Sequence, residues 1–215
     1  MLQLENYQQH EHHIPSTGKF IIAQFDAESI VVYQAFKDSI AKYAVEHQKF
    51  GGFDYDFNRM TWLKPSFLWM MYYSGWAKKQ NQENVLAIKM KREGFDRVLE
   101  EAVMSSFQAN IYSTRKEWEE KLKNSDVQIQ WEHYYDLFGA KTDRYAAKIG
   151  IKGALQSMYN DEWIIEIQNV TPYVNTQQGL LETNEIAMLQ LPHERAYTPA
   201  DLTILRKIEA TTISL

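Results

Sequence analysis

The sequence predicts an α+β fold, a single domain with a mixed or split β-sheet flanked by helices. Segments with a β-forming pattern interleave with segments of helical periodicity, but without the strict strand–helix–strand repeat of a parallel α/β protein. The chain has 215 residues, of which 45% are hydrophobic. A chain of this length favours one large domain that buries its core without disulfides.

The first 18 residues differ in composition from the rest. They are polar, contain three of the six histidines and end in Pro-Ser-Thr-Gly. This composition predicts a flexible N-terminal tail at residues 1–18, followed by one globular domain at 19–215. His10, His12 and His13 are metal-binding side chains, but a flexible segment lacks the rigid geometry of a metal site, so no metal is predicted.

The predicted strands are identified by β-branched and aromatic residues between turn signals. They cover residues 19–25, 30–36, 59–63, 85–90, 127–131 and 163–170. On the second strand Gln34 shares a face with large apolar side chains. Because a buried amide needs hydrogen-bonding partners, Gln34 either ties down a backbone segment or faces a ligand.

The predicted helices have recognisable ends. Gly51 follows the first helix, Pro65 begins the second, and Thr114 with Glu117 forms a capping box for the fourth. The helical segments are residues 37–48, 65–74, 93–106, 114–123 and 153–159, with further helices starting at about Pro172 and Pro199. Residues 144–151 fit a strand or a helix. The helix at 65–74 is apolar on nearly every side, which is typical of a buried helix.

The net charge of −5 disfavours some partners. The only short basic cluster is at residues 89–92, so binding to duplex nucleic acid is not expected. The longest apolar run, residues 67–73, is far short of the roughly 20 residues that a membrane helix needs. A cytoplasmic protein without a membrane partner is therefore predicted.

Common catalytic motifs are absent. The chain has no cysteine, which excludes a thiolate nucleophile, a zinc–cysteine site and an iron–sulfur cluster. It also has no Walker loop, no GxGxxG, no HExxH, no GxSxG and no EF-hand loop. The usual nucleotide, zinc and serine-hydrolase sites are not expected.

The strongest local indication of a site is the turn before the buried helix. Lys64 and Ser66 flank a proline where a helix N-terminus exposes unpaired N–H groups, and such an end attracts phosphate or carboxylate. On the incoming strand Arg59 and Thr61 share one face, with Trp62 on the other. These groups suit a ligand with an anionic part and a flat part. The alternative is a capped core helix with a solvated Lys64.

Six sequence blocks resemble a bacterial family known as domain of unknown function 4291. They are SIVVYQAF at 29–36, RMTWLKPSFLWMM at 59–71, SGW at 74–76, VLAIKM at 85–90, VQIQWE at 127–132 and LPHERAY at 191–197. The residues that match the family pattern and suit a site are Gln34, Arg59, Thr61, Trp62, Lys64, Ser66, Gln130 and Glu132. Family members usually have arginine where this chain has Ile22 and Tyr73, and a Pro-x-Arg-Asp stretch where it has residues 133–136.

The predicted order of strands and helices is also similar, at the level of the fold, to the split-sheet core of ADP-ribosyltransferases. That resemblance implies NAD as a cofactor, contacted by Tyr33 or Gln34. It implies that Thr61, Lys64 and Ser66 hold the ribose or pyrophosphate and that Trp62 stacks a ring. Glu132 or Glu166 is then the acidic residue that stabilises an oxocarbenium-like state.

Two functional hypotheses follow. The first is an NAD- or nucleotide-linked transferase with an anionic-ligand site at residues 59–66, to which Gln130 also contributes. The second is a non-catalytic binding or homo-oligomeric interaction module, such as a homodimer, that uses the aromatic block at residues 50–76. Its partner surface would include Trp69 or Trp76.

Overall fold

The computed structural model describes residues 2–212, and its strands form a split sheet. The strands are β1 (Leu4–Asn6), β2 (Gly18–Lys19), β3 (Ile22–Ala23), β4 (Ser29–Phe36), β5 (Thr61–Leu63), β6 (Asn84–Lys91), β7 (Val103–Met104), β8 (Val127–Tyr135), β9 (Lys141–Ile151), β10 (Ile164–Asn169), β11 (Gln190–Pro192) and β12 (Arg195–Ala196).

The helices lie between these strands without a regular repeat. They are α1 (Tyr7–His13), α2 (Asp38–His47), α3 (Phe67–Ser74), α4 (Arg92–Glu101), α5 (Arg115–Asn124), α6 (Gly153–Met158), α7 (Thr171–Glu182) and α8 (Thr203–Lys207). A π-helical turn at Tyr159–Trp163 and a short 3-10 helix at Ile186–Met188 complete them. The α+β fold class is therefore confirmed.

The sheet is split into two main parts. One is the antiparallel set β10-β6-β4, and the other is built on β9, with β8 along one edge and β2 and β5 along the other. The two parts meet where β4 contacts the end of β5. There the Tyr33 N–H donates to the Lys64 carbonyl at 2.7 Å, and the Lys64 N–H donates to the Tyr33 carbonyl at 3.2 Å.

Strand β4 separates two apolar clusters because successive side chains point to opposite faces. Ile30 and Val32 belong to the cluster that also contains residues of α2 and α4. Val31 and Tyr33 belong to the second cluster, together with α3. Five consecutive residues of α3, from Phe67 to Met71, are buried, which confirms the prediction of a buried helix.

The N-terminal segment differs from the predicted tail. Strand β1 pairs with β11 in an antiparallel register, and the Asn6 side chain caps α1 by accepting from the Gln8 N–H at 2.9 Å. His10 is fully buried, with Nδ1 3.0 Å from the Pro192 carbonyl oxygen. Polar residues that look solvated in the sequence therefore have partners nearly two hundred residues away. The predicted end of the domain, at residue 215, lies outside the described residues.

Tertiary pairing also changes several predicted boundaries. The predicted strand at 19–25 is divided between β2 and β3, which pair with different strands. The predicted helix at 93–106 ends at Glu101, because Val103 and Met104 pair with β8 instead. Residues 144–151 are part of β9. Within residues 2–212, no helix combines the length and apolar character needed to cross a membrane.

Candidate functional site

An open cleft of about 330 Å³ lies where β4, β5 and α3 meet. Its lining includes Gln34, Arg59, Thr61, Trp62, Lys64 and Tyr73. Five of these six were predicted as ligand-binding residues. Strand alternation and short chain distance bring them together, since four of them lie between residues 59 and 64.

Gln34 joins β4 to β5 at this cleft. Its Nε2 donates to Thr61 Oγ1 at 2.6 Å and to the Trp62 carbonyl at 3.2 Å, while its Oε1 accepts from the Tyr159 hydroxyl at 3.1 Å. The side chain is buried yet lines the cleft. Gln34 therefore ties down a backbone segment, which is one of the two roles predicted for it from the sequence.

Lys64 is a buried cation without a carboxylate partner. The residue is 5% exposed, and its Nζ has one distant acceptor, the Trp62 carbonyl at 3.4 Å. Within residues 2–212 no ion pair joins this ammonium to an acidic side chain. The prediction of a solvated Lys64 is wrong, because strand β5 carries the residue into the interior.

The surroundings of Lys64 destabilise its charge. Burial lowers its pKa to about 7, and the positive charges of Lys148 and Lys79 act in the same direction. Glu132 opposes them and raises the pKa. The amine is thus partly unprotonated near neutral pH.

Three lysines surround the ring of Tyr73. The ammonium nitrogens of Lys64, Lys79 and Lys148 lie 4.6 Å, 4.8 Å and 5.4 Å from its centroid. Lys148 also lies 4.3 Å from the ring centroid of Trp62. Cations gathered over two aromatic rings form a site with a surplus of positive charge.

The pairing of β5, β9 and β8 places these side chains on one face. Trp62 is opposite Gly150, Lys148 is opposite Gln130, and Ala146 is opposite Glu132. Residues opposite each other in a sheet share a face. A side chain at Gly150 would collide with Met60, since a Cβ there would overlap Met60 Sδ, and it would also lie 3.0 Å from Trp62 Cη2.

Acidic side chains near the cleft already have partners. Glu132 Oε1 lies 3.6 Å from Lys148 Nζ. Asp54 is paired with Lys37 at 2.8 Å, and Asp56 accepts from the Asn58 N–H at 2.9 Å. Among the residues that the structure describes, Glu132 is therefore the one acidic side chain paired with the lysines around Tyr73.

Gln130 and Glu132 also line a neighbouring depression. This second cleft, of about 390 Å³, includes Lys19 and Tyr145 in its lining. Glu132 pairs with Lys148, which contacts the rings of Trp62 and Tyr73 that line the Lys64 cleft. Gln130 lines only the second, so the structure does not bring it to the Lys64 cleft.

Tyr33 and Glu166 do not line the Lys64 cleft. The Tyr33 side chain is on the opposite face of β4 from Gln34, fully buried, with its ring centroid 5.6 Å from that of Phe67. Glu166 is exposed on the edge strand β10, opposite Lys89. Tyr33 faces away from the cleft because successive side chains of a strand point to opposite faces. Glu166 lies outside the cleft because it is on an edge strand.

The N-terminal end of α3 is occupied by a carboxyl group of the protein itself. Glu194 Oε1 accepts from the Phe67 N–H at 2.7 Å, and its carboxyl group is fully buried. Ser66 is buried at this end of the helix and does not line the cleft. The predicted anionic-ligand site at the helix N-terminus is therefore wrong. Glu194 occupies that position, and the lysines around Tyr73 are a separate feature.

Sequence reasoning missed four residues of this region. Lys148 was missed because the pattern at 144–151 did not identify a strand, so its face was unknown. Lys79 and Glu194 carry no local signal. Tyr73 did have one, since family members usually have arginine at that position, and in the structure it is the centre of the lysine cluster.

The fold and the cleft define a single-domain α+β protein with a cationic, aromatic site. The chain belongs to the family described as Domain of unknown function (DUF4291), whose sequence model matches residues 20–197. This match confirms the resemblance found in the sequence blocks. A comparison with curated proteins gave no match.

Proposed function

We propose that the Lys64 cleft binds a nucleotide-like ligand, with a phosphate group and a flat ring. The observation that carries the proposal is the set of three lysine ammonium groups within 5.4 Å of the Tyr73 ring centroid. Within residues 2–212, Glu132 is the one acidic side chain that pairs with any of them, through Lys148. Ammonium groups bind phosphate as strong charged hydrogen-bond donors, and an aromatic ring stacks a base.

NAD is the ligand that we propose within this class, with a transferase activity of the ADP-ribosyltransferase type. In such a reaction the bond between nicotinamide and ribose breaks, nicotinamide leaves as a neutral amide, and an acceptor loses a proton as it takes the ADP-ribosyl group. Glu132 is the proposed acidic residue because its carboxylate lies beside Lys148. Gln34 and Thr61 supply polar groups in the cleft, and Arg59 lies exposed at its rim.

A thermal-shift titration tests the binding proposal. NAD, ADP and inorganic phosphate are added to the wild-type protein and to Lys148→Gln. Ligand binding to the folded state raises the melting temperature, and loss of one phosphate contact should weaken affinity by about tenfold. Lys78→Gln is the matched control, because Lys78 is 62% exposed and pairs with Glu182. No shift with any nucleotide at millimolar concentration contradicts the proposal.

Release of nicotinamide from NAD tests the transferase proposal separately. Glu132→Gln should abolish release while NAD still stabilises the protein. Glu166→Gln is the control, since Glu166 lies on an exposed edge strand. If the wild-type protein binds NAD but does not release nicotinamide, the nucleotide-binding proposal stands and the transferase proposal fails.

A second candidate function is the interaction module. Phe53 is fully exposed, at 105%, and Phe57 and Tyr72 are 44% and 46% exposed. Trp69 is 1% exposed, so it is not available as a partner surface. If the chain forms a homodimer through this block, analytical ultracentrifugation should detect a dimer that Phe53→Ser dissociates. A monomer at all concentrations contradicts this version.

A further inference from the structure

The amine of Lys64 is placed differently from that of an ordinary phosphate-binding lysine. It lies in the interior, 5% exposed, yet the residue lines an open cleft of about 330 Å³. No acidic side chain within residues 2–212 forms an ion pair with it, and its nearest acceptor is a carbonyl at 3.4 Å. Loss of the proton from this nitrogen therefore breaks no ion pair among the described residues.

The charged groups around Lys64 come from three parts of the fold. Lys148 is on β9, Lys79 follows α3, and Glu132 is on β8. The two lysines disfavour a third positive charge and the glutamate favours it, while burial is the largest influence and lowers the pKa to about 7. A desolvated lysine beside other cations is a known form of activated amine nucleophile.

The same neighbours would hold an anionic group next to this amine. Lys79 and Lys148 lie 4.8 Å and 5.4 Å from the Tyr73 ring centroid, and Lys64 lies 4.6 Å from it. The three nitrogens thus lie over one ring, which also stacks on Trp69 with the ring centroids 5.4 Å apart. An anionic group placed among these nitrogens would meet a buried amine and two further ammonium groups.

We propose that Lys64 is a nucleophile that condenses with the carbonyl group of an anionic aldehyde or ketone bound in this cleft. The Nζ lone pair attacks the carbonyl carbon, and a proton passes from nitrogen to oxygen to give a carbinolamine. Loss of water then leaves an imine, so one carbonyl and one amine give one imine and one water. The step needs no oxidant or reductant. The imine proposal rests on the proposed anionic-ligand site only for the role that it gives to Lys79 and Lys148.

Borohydride trapping with pyridoxal 5′-phosphate tests this proposal on the wild-type protein. The reagent has an aldehyde, a flat ring and a phosphate, and reduction converts any imine into a stable adduct that peptide mass mapping locates. Lys64 should be modified at about tenfold lower reagent concentration than exposed Lys78, and its rate should reach half of its maximum near pH 7. Modification of exposed lysines with Lys64 unmodified overturns the proposal.

Two comparisons separate a specific site from general reactivity. Lys148→Gln should weaken labelling of Lys64 by pyridoxal 5′-phosphate about tenfold more than labelling by pyridoxal, which has no phosphate and loses only the effect of the Lys148 charge on the pKa of Lys64. Equal loss with both reagents overturns the role of Lys148 as an anion holder. Lys64→Met should lose the adduct at this position. If that variant does not fold, the peptide map of the wild-type protein alone shows whether Lys64 is the modified residue.

The nucleotide proposal has a separate readout in the same samples. If NAD raises the melting temperature but Lys64 is never labelled, only the imine proposal fails. If Lys64 is labelled and NAD has no effect, only the nucleotide proposal fails. Protection of Lys64 from labelling by NAD supports both and places them in one cleft.

Discussion

Lys64 is the residue at which stability and chemistry oppose each other. Its folded-state pKa, about 7, is below the value of 10.5 for an exposed lysine. Between these values the unfolded chain binds more protons than the folded protein, so this residue makes stability rise with pH. Stability is lost as pH falls from 10.5 through 7, because the buried amine must then accept a charge.

Replacing Lys64 by methionine should therefore stabilise the protein. Methionine keeps the length of the side chain and removes the buried charge, so we expect a gain of roughly 1–3 kcal/mol near pH 6 that shrinks toward pH 9. Urea denaturation at both pH values measures it. A gain of equal size at the two pH values would show that the charge of Lys64 is not the cause.

Glu194 is the second residue whose state is set by burial. Desolvation raises the pKa of this carboxyl group well above its usual range and so favours the neutral acid, even though the Phe67 N–H donates to it at 2.7 Å. Glu194→Gln resembles the neutral acid and should change stability by less than about 1 kcal/mol. Glu194→Ala leaves the Phe67 N–H without a partner and opens a cavity, at a cost of about 3 kcal/mol. Chemical denaturation near pH 7 compares the two variants, and equal effects would contradict the neutral state.

At the scale of elements, the cleft depends on the contact of β5 with β9. Trp62 lies opposite Gly150, and a methyl group on Gly150 would overlap Met60 Sδ and come 3.0 Å from the indole of Trp62. We expect Gly150→Ala to displace Met60 and Trp62, to cost about 1–3 kcal/mol and to weaken nucleotide binding. Tryptophan fluorescence and a binding titration measure the two effects.

Gly179→Ala is the matched control for that variant. Gly179 lies within helix α7, and a Cβ there would have no atom within 4 Å. Alanine in a helix is favoured over glycine, so this variant should gain about 0.5–1 kcal/mol without affecting binding. If Gly150→Ala and Gly179→Ala behave alike, the close approach at Trp62 has no structural role.

Elements with local signals were predictable from the sequence, and those defined by distant partners were not. Helix α5 has its predicted cap, since Thr114 Oγ1 accepts from the Glu117 N–H at 3.1 Å. The run from Thr61 to Lys64 was identified because alternation and a proline turn are local. Strand β7 was missed because only its pairing with β8 makes it a strand. Glu194 at the start of α3 was missed because it lies 127 residues away in the chain.

At the scale of the whole molecule, the N-terminal segment is held by contacts with a segment close to the other end of the chain. The two terminal nitrogens of the Arg195 guanidinium donate to Glu5, at 2.5 Å and 2.9 Å, and Glu5 is 8% exposed. A paired carboxylate with this degree of burial contributes more than a surface ion pair, because its loss leaves a partly buried guanidinium without a counterion.

Removal of the Glu5 side chain should therefore lower global stability. We expect Glu5→Ala to cost about 2 kcal/mol in chemical denaturation. The control is Glu182→Ala, whose ion pair with Lys78 is 62% exposed on both sides and should be worth less than about 0.5 kcal/mol. Equal effects would mean that the N-terminal segment contributes little to the fold.

The binding of NAD to the lysine cluster is the claim on which the functional account depends. Isothermal titration calorimetry near pH 7, with buffers of different ionisation enthalpy, measures affinity and proton uptake together. We predict binding by the wild-type protein, with proton uptake by Lys64, an affinity about tenfold lower in Lys148→Gln, and no change in Lys78→Gln. Absence of NAD binding, or an affinity that is the same in Lys148→Gln and the wild-type protein, would contradict this claim.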